Sequence, residues 1–556
     1  MLSLKNFISK VLSNYPLLRF IIFYYFRKLK LSARALNSDF PISNKNELLG
    51  YYEAFCSKKK TEGFFLRFIP TPNNNLYFIV KFYSLVRNHL FGYEILWAQK
   101  KKFFKIKNKS YKKKLIAISH FNKRKQIFKV KEDKKNYLIE LEPEKFSYLN
   151  FKAKNIQIES KNEFIISEDF LKKKETKSNK LVVAIFIDGL SNFSNQTLFK
   201  KIAPETYNFF QNGHIFQNHF SNSEWTVPSC ATIMTGKNTY NHGIFHPNAN
   251  QDISKKNKVM AQFFQEKNFV TLMCNSGWRT SPSYGYVKGF DRTIYKKEAN
   301  ADFIINKSID HLISFKAYDN FIFLGLNDLH HHLDLVPPLN LQTNFNPSLL
   351  YELENKKKIK SINELFSEKK IEILKKNMNI LDKKLSILYD YLIKNFKNNF
   401  VISIFTDHGH SFLDNDKYVL SKSRTSIPFL LRTNLSKNKF NFNNIKKLSS
   451  NIDILPTILG ASNIKVDNTK FDGVNLLKKN NKNKDIIIES IYPNKKYEAK
   501  IINNNSEYIF NIDNIVDNNG KIILKENSKK LNSNEKLLLN NIKIWNKKHI
   551  LNRKNF

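Results

Sequence analysis

The chain is poor in cysteine, glycine and proline. Its 556 residues include three cysteines, 15 glycines and 15 prolines. Three cysteines cannot form a disulfide framework, which fits a reducing compartment. The small amounts of glycine and proline exclude collagen-like chains and low-complexity chains built from these two residues.

Long apolar runs are missing as well. The most apolar stretch near the N-terminus, residues 17–26, is short, contains Arg19 and is followed by basic residues. A membrane-spanning helix needs about 20 apolar residues, and no small-residue cleavage site follows this stretch. We therefore expect no transmembrane helix and no signal peptide, and we favour a buried helix over an interfacial anchor. The expected location is the cytoplasm or the periphery of a bacterial inner membrane.

Acidic residues are few, with 48 Asp and Glu against 92 Lys and Arg and a net charge of +44. Such an excess attracts phosphates, anionic lipid headgroups and anionic glycans. Lysine and asparagine are abundant everywhere, however, and the sequence shows neither zinc-finger spacing nor an isolated basic recognition helix. We expect a phospho-ester or phospho-glycan substrate, peripheral membrane association as an option, and no nucleic-acid partner. The oligomeric state stays open.

Hydrophobic residues make up 42% of the chain and aromatic residues 14%, which excludes a mainly disordered protein. Changes in pattern predict four regions. Residues 1–45 form an N-terminal helical segment, 46–173 a β-rich accessory domain, 181–475 an α/β domain, and 476–556 a C-terminal subdomain with a basic tail. The accessory domain is predicted from short alternating segments at 76–82, 114–120, 126–130 and 137–141.

The α/β domain begins with a continuous apolar run, residues 181–187, which is typical of a buried parallel strand. Similar runs lie at 321–326 and 400–406, and helical periodicity covers 371–395. This alternation predicts a mainly parallel sheet flanked by helices, with ligands beyond the carboxyl ends of the strands. Asp188, Asp328 and the pair Asp407-His408 follow these three runs.

Three groups of residues can carry chemistry. Asp407 and His408 offer an oxygen and a nitrogen ligand, which suits zinc or manganese better than calcium. Asp328 and His332 lie one helical turn apart, so that they could share a metal ion. Thr226 precedes Pro228 in a predicted helix first turn, where the free N–H groups favour an alkoxide or a phosphate. A plain helix-capping role for Thr226 is the alternative.

Together these segments resemble the alkaline phosphatase superfamily, in its sulfatase-like, phosphodiesterase and phosphoglycerol-transferase branches. The matching motifs occur in the family's order over about 181–476. They are IFIDG (185–189), TVPSCATIMTG (226–236), NHGI (241–244), GFD (289–291), LNDLHHH (326–332), LDKKLSILYDYL (381–392), FTDHGH (405–410), SIPFLLR (426–432) and DILPTILG (453–460). The resemblance implies an alkaline-phosphatase-like catalytic domain at 181–475.

The resemblance also implies a metal site formed by Asp188, Thr226, Asp407 and His408, with Thr226 as the nucleophile. Sulfatases carry a cysteine or serine there, which becomes formylglycine, within a C/S-x-P-x-R pattern. Thr226 cannot become formylglycine, Cys230 stands at the arginine position, and His408 replaces the usual asparagine. These departures favour phosphorus chemistry over sulfate esters.

A second metal ion is less well supported. Asp328 and His332 match the ligand pair of two-zinc phosphodiesterases, but the later histidine of those enzymes is missing at its expected distance. The one-metal alternative gives His330 or His331 a phosphate contact and makes Trp278 and Arg279 substrate-binding residues. His331 is then a candidate to protonate the leaving group. We expect one or two zinc or manganese ions, and favour one.

The sequence thus predicts a metal-dependent phosphotransferase, phosphodiesterase or phosphatase with a threonine nucleophile. A cell-surface glycan is the expected acceptor of a transferred phospho-substituent. A sulfatase, or a non-catalytic binding protein on the same fold, is the alternative.

Overall fold

The computed structural model describes residues 47–50, 93–107, 114–330 and 366–549, apart from short gaps. The gaps are 121, 123, 143–145, 168, 171–178, 193–195, 217, 246–252, 254–256, 278–279, 281–285, 297–298, 398, 436–447, 479–484, 493, 505, 518–519 and 526–531, with Ile253 described between two of them. The helix predicted at 17–26 and the strand predicted at 76–82 lie outside the described residues.

The chain divides into two compact units. The first comprises residues 1–172, 247–250 and 291–296, and the second comprises 173–246, 251–290 and 297–556. Residues 291–296 belong to the first unit although they lie far along the sequence, within the predicted α/β domain.

The described part of the first unit is built from antiparallel strands in the order β5-β4-β7-β2-β12, with β1 beside β2 and β3 beside β6 and β7. Strand β4 buries alternate residues, Phe128 and Val130 among them, as expected for a sheet with one face on a core. The strands are β1 (Glu47–Gly50), β2 (Tyr93–Lys107), β3 (Lys114–His120), β4 (Gln126–Glu132), β5 (Lys135–Leu141), β6 (Ser147–Phe151), β7 (Asn155–Ser167) and β12 (Arg292–Tyr295).

The second unit contains the α/β fold that the apolar runs predict. Its main sheet has the order β11-β13-β8-β14-β15-β9; the first four strands are parallel to one another, and β15 pairs antiparallel with both β14 and β9. Strands β10 and β16 pair separately. The strands are β8 (Leu181–Ile187), β9 (His214–Phe216), β10 (His219–Phe220), β11 (Val270–Asn275), β13 (Asn320–Leu326), β14 (Phe400–Phe405), β15 (Phe429–Thr433) and β16 (Ser449–Ser450).

Helices accompany this sheet, and the longest of them, α7, covers the periodic segment. Ser367 caps α7 by accepting the N–H of Lys370, and residues such as Leu381 and Leu385 form its buried face. The helices are α1 (Gln196–Ile202), α2 (Pro204–Phe210), α3 (Thr226–Thr235), α4 (Thr239–His242), α5 (Met260–Gln265), α6 (Ala301–Ser314), α7 (Glu368–Phe396), α8 (Lys422–Thr425), α9 (Ile454–Ala461) and α10 (Ser533–His549).

The C-terminal part of the second unit adds short antiparallel strands and helix α10. The indole of Trp545 on α10 donates to the Gly520 carbonyl and packs edge-on against Phe245. The strands are β17 (Ile486–Ser490), β18 (Glu498–Ile502), β19 (Glu507–Ile509), β20 (Asn514–Val516) and β21 (Ile522–Leu524). No helix in the described ranges has both the length and the apolar character that crossing a membrane requires.

Candidate metal and nucleophile site

Acidic and imidazole groups meet at the carboxyl ends of three neighbouring parallel strands. Strands β13 and β14 both pair with β8, so that the residues after Leu326, Phe405 and Ile187 share one edge of the sheet. Asp188 Oδ1 lies 3.6 Å from His330 Nε2 and 3.9 Å from His408 Nε2.

The donor atoms at this edge fit a single divalent cation. One ligand atom each from Asp188, His330 and His408 lies within 4.8 Å of the others. Asp407 Oδ2 is 3.3 Å from His408 Nε2, which adds a second carboxylate. Ligand atoms around a four-coordinate zinc ion lie roughly 3.3 Å apart. One carboxylate and two imidazoles at such separations, with the Asp407 carboxylate beside His408, suit zinc or manganese.

Neighbouring polar groups orient these side chains. The His408 Nδ1 lies 2.9 Å from the Gly409 carbonyl, so Nδ1 carries the proton and the lone pair of Nε2 faces the cluster. Asp407 Oδ1 accepts hydrogen bonds from the Gly189 amide at 3.2 Å and the Thr406 hydroxyl at 3.1 Å. The other oxygen, Asp407 Oδ2, lies 3.3 Å from His408 Nε2. The two ligands are therefore pre-oriented by hydrogen bonds from the strand ends themselves.

Thr226 is the first residue of helix α3. Its side chain is fully buried, and its Oγ1 has no hydrogen-bond partner in the part of the chain that the structure describes. The first turn of α3 is tied to the end of β14, because Ser221 Oγ lies 2.5 Å from the Asp407 carbonyl and 3.0 Å from Ser229 Oγ. A buried hydroxyl without a partner is costly and therefore indicates a ligand or a reacting group.

Cys230 lies one turn after Thr226 and reports on the same electrostatic environment. Burial raises the pKa of its thiol well above the usual range, and the negative charges of Asp407 and Asp188 raise it further. The first turns of α3 thus lie within the field of both carboxylates. Cys230 is an inert, protonated thiol at the position where the sulfatase pattern has an arginine.

The loop before Thr226 carries a buried acid that sequence reasoning did not assign. Glu224 is 1% exposed, and burial raises its pKa. Its carboxylate accepts the hydroxyls of Ser490 at 2.7 Å and Ser223 at 3.0 Å, and its carbonyl accepts Arg424 Nε at 2.7 Å. Ser490 lies 266 residues further along the chain, so that no local pattern could have revealed this contact.

Strand β17 holds the same loop through its backbone. The Glu489 amide donates to the Asn222 carbonyl at 3.0 Å, and the Asn222 side chain donates to the Ile487 carbonyl at 2.9 Å. The rings of Trp225 and Tyr492 lie 6.0 Å apart. The C-terminal part of the chain therefore positions the segment that leads into Thr226.

The structure describes Asp328 without its predicted partner His332, which lies outside the described residues. Residues 328–330 form a turn rather than a helical turn, and Asp328 Oδ1 accepts the Ala301 amide at the start of α6. Burial raises the pKa of Asp328 to about 6. Among the described residues it does not join the candidate metal cluster. Its neighbour His330, predicted to contact substrate, lies among the candidate ligands instead.

Several other predicted residues lie outside the described residues. These are His331, His332, Trp278 and Arg279, whose roles stay predictions. His410 is described, and its Nε2 lies 3.2 Å from the Leu329 carbonyl. Burial, together with the charges of His408 and Arg424, holds the pKa of His410 well below its usual range. His410 therefore acts as a neutral group that links two loops of the site.

The sulfatase family model matches residues 180–334 and 358–464, the region that carries these strand ends and helix α3. Residues 180–334 and 358–464 thus match a sulfatase-family domain of the alkaline phosphatase superfamily. This confirms the predicted resemblance. It also supports an esterase-type hydrolase of sulfate or phosphate esters.

A search of curated protein sequences finds no match. Among solved structures, the chain is similar to the phosphonate monoester hydrolase of Silicibacter pomeroyi, with 13% identity, a TM-score of 0.47, and coverage of 60% of this chain and 87% of that one. The Agrobacterium radiobacter phosphonate monoester hydrolase gives 12% identity, a TM-score of 0.45, and coverage of 60% and 87%. These similarities are too weak to support a function, which depends on the family match and on the site residues.

Proposed function

We propose that the chain is a metal-dependent phosphohydrolase or phosphotransferase with Thr226 as its nucleophile. The observation that carries this proposal is the buried Thr226 hydroxyl, which lacks a partner among the described residues. It begins the helix whose first turn is bonded to the Asp407 strand end. A threonine in this position cannot become formylglycine, and this favours phosphorus esters over sulfate esters.

The residues that would hold the ion are Asp188, Asp407, His408 and His330, with zinc or manganese as the expected metal. Bound there, the ion supplies Lewis acidity, which lowers the pKa of a nearby hydroxyl and polarises a phosphoryl oxygen. A second ion bound through Asp328 and His332 stays a prediction. The surroundings of Asp328 favour one ion, since its carboxylate caps α6.

The chain's own groups then account for the chemistry. Thr226 Oγ1 gives its proton to a water molecule and forms a bond to phosphorus, while the bond from phosphorus to the leaving oxygen breaks. The N–H groups of the first turn of α3 favour the negative charge that develops on the phosphoryl oxygens. The leaving oxygen takes up a proton, for which His331 remains the predicted donor. Water, or an acceptor hydroxyl, finally releases phosphorus from Thr226.

The net charge of the chain bears on the acceptor of the phospho-group. A cell-surface glycan, or its phospho-substituted precursor, is consistent with the net charge of +44. The same charge favours peripheral contact with an anionic membrane. A sulfatase is the alternative, and the substrate panel below separates the two.

The test compares Thr226→Ala and Thr226→Ser with Thr235→Ala, a matched control in the same helix whose hydroxyl bonds to the Ala231 carbonyl. The substrates are bis(p-nitrophenyl) phosphate, p-nitrophenyl phenylphosphonate and p-nitrophenyl sulfate. We expect Thr226→Ala to lower kcat by at least about a thousandfold, Thr226→Ser to retain part of the activity, and the control to resemble the wild type.

Two results would contradict the proposal. Near wild-type turnover by Thr226→Ala would show that Thr226 is not the nucleophile. Faster turnover of the sulfate ester than of both phosphorus esters would favour the sulfatase alternative.

A further inference from the structure

A second candidate binding site lies in the first unit, on the solvent-exposed face of the sheet β5-β4-β7-β2. Cross-strand pairing aligns its side chains in two rows that run over all four strands. The first row is Leu138, Lys129, Glu159 and Phe103. The second row is Asn136, Lys131, Gln157 and Lys105. Because successive residues of a strand alternate between faces, the side chains of both rows project to the same side.

A groove of about 310 Å³ lies among these rows. Its lining residues are Phe103, Lys129, Val130, Lys131, Asn136, Tyr137, Leu138, Gln157 and Glu159. Phe103 is 51% exposed and Leu138 65% exposed, although the opposite face of the sheet already provides a core. The register of β2 shifts between Lys101 and Phe103, and such an irregularity is a common way to re-aim a side chain. Large exposed apolar groups beside a groove are typical of a binding surface.

The polar groups of the groove are of three kinds. Lys129 and Lys131 stand side by side on the central strand β4, and Lys105 extends the second row. Asn136 and Gln157 provide amide groups, and Glu159 provides one carboxylate. The face therefore combines an excess of positive charge with groups that donate and accept hydrogen bonds.

We propose that this face binds an acidic oligosaccharide. An acidic oligosaccharide presents the apolar faces of several sugar rings, which can lie on Phe103 at one end of the first row and on Leu138 at the other, and its hydroxyls can bond to the amides and to Glu159. Its carboxylate, sulfate or phosphate groups are attracted by the lysines.

A single-stranded nucleic acid fits the groove less well. Such ligands stack successive bases on several aromatic side chains, whereas Phe103 and Tyr137 are the aromatic residues that line the groove, and Tyr137 is directed to the Glu132 carboxylate. This site does not depend on the chemistry proposed for Thr226.

The test is fluorescence anisotropy of the full chain with three labelled probes: a heparin-derived hexasaccharide, maltohexaose and hexathymidylate. We expect the acidic hexasaccharide to bind more tightly than the other two. Phe103→Ala and the double change Lys129→Gln with Lys131→Gln should each weaken its binding by about tenfold. The control is Lys152→Gln with Lys154→Gln, which removes the same charge from two exposed lysines that do not line the groove.

Four results would overturn the proposal: no binding of the acidic hexasaccharide, hexathymidylate binding as tightly as the hexasaccharide, Phe103→Ala binding like the wild type, or the control weakening binding as much as the groove variants. The changed side chains are exposed, so that unchanged circular dichroism and thermal unfolding should accompany the expected loss.

Discussion

A buried histidine beside the candidate site predicts that the protein loses stability below neutral pH. His219 is 0% exposed, with Nε2 3.1 Å from Asn451 Oδ1 and Nδ1 2.9 Å from Ser449 Oγ. The Asn451 side chain also donates to the Thr406 carbonyl, next to Asp407. Burial lowers the pKa of His219 to about 3. The folded protein therefore keeps this imidazole neutral at pH values where the unfolded chain binds a proton.

The size of the effect follows from the two pKa values. The unfolded imidazole titrates near 6.5 and the folded one near 3. The contribution to stability is complete above pH 6.5 and is lost progressively as the pH falls toward 3. At pH 5 the pH lies about 1.5 units below the pKa of the unfolded imidazole, so the unfolded chain binds a proton that the folded protein does not. At about 1.4 kcal/mol per unit, this lowers the free energy of unfolding by about 2 kcal/mol.

The assay is urea unfolding of the wild type and of His219→Gln at pH 8 and pH 5, followed by tryptophan fluorescence. The substitution should destabilise the protein at pH 8, because glutamine cannot reproduce both hydrogen bonds. Its further loss between pH 8 and pH 5 should be about 2 kcal/mol smaller than that of the wild type. An equal loss in both proteins would refute the assignment of a neutral buried imidazole.

Two further predictions concern the loop that leads into Thr226 and the candidate metal ligands. Ser490→Ala removes a hydrogen bond to the buried Glu224 carboxylate in the loop that leads into Thr226. Steady-state kinetics should show kcat about tenfold lower with little change in KM, and Ser490→Thr should restore kcat. An unchanged kcat would show that Ser490 does not position this loop. Chelation should abolish activity, zinc or manganese should restore it better than calcium, and His408→Asn or His330→Ala should lower the metal content measured by mass spectrometry. Preferential rescue by calcium, or unchanged metal content in both variants, would contradict the metal site.

Local sequence could predict the strands that end at the site. Buried parallel strands produce uninterrupted apolar runs, so β8, β13 and β14 could be predicted, together with the position of Asp188, Asp407 and His408 just after two of them. Strand β11 was missed because Thr271 and Asn275 interrupt its apolar pattern. Both are buried and bonded, Thr271 to the Gly289 carbonyl and Asn275 to the Thr280 carbonyl. Polar residues with partners of this kind do not exclude a buried strand.

Contacts between distant segments could not be predicted in the same way. The spacing from Asp328 to His332 predicts a shared helical turn, which stays a prediction because His332 lies outside the described residues. The structure describes a turn at 328–330 and brings His330 to Asp188. Three consecutive histidines give no local indication of which one faces the strand ends. The contact between Glu224 and Ser490 depends on how the C-terminal strands pack, which is a property of the whole second unit.

The most direct test of Thr226 as a nucleophile is mass spectrometry of the wild-type chain, quenched with acid during turnover of bis(p-nitrophenyl) phosphate. The proposal predicts a phosphoryl or arylphosphoryl adduct on the peptide that contains Thr226, and its absence in Thr226→Ala. Turnover without any adduct on this peptide, together with full activity of Thr226→Ala, would contradict it.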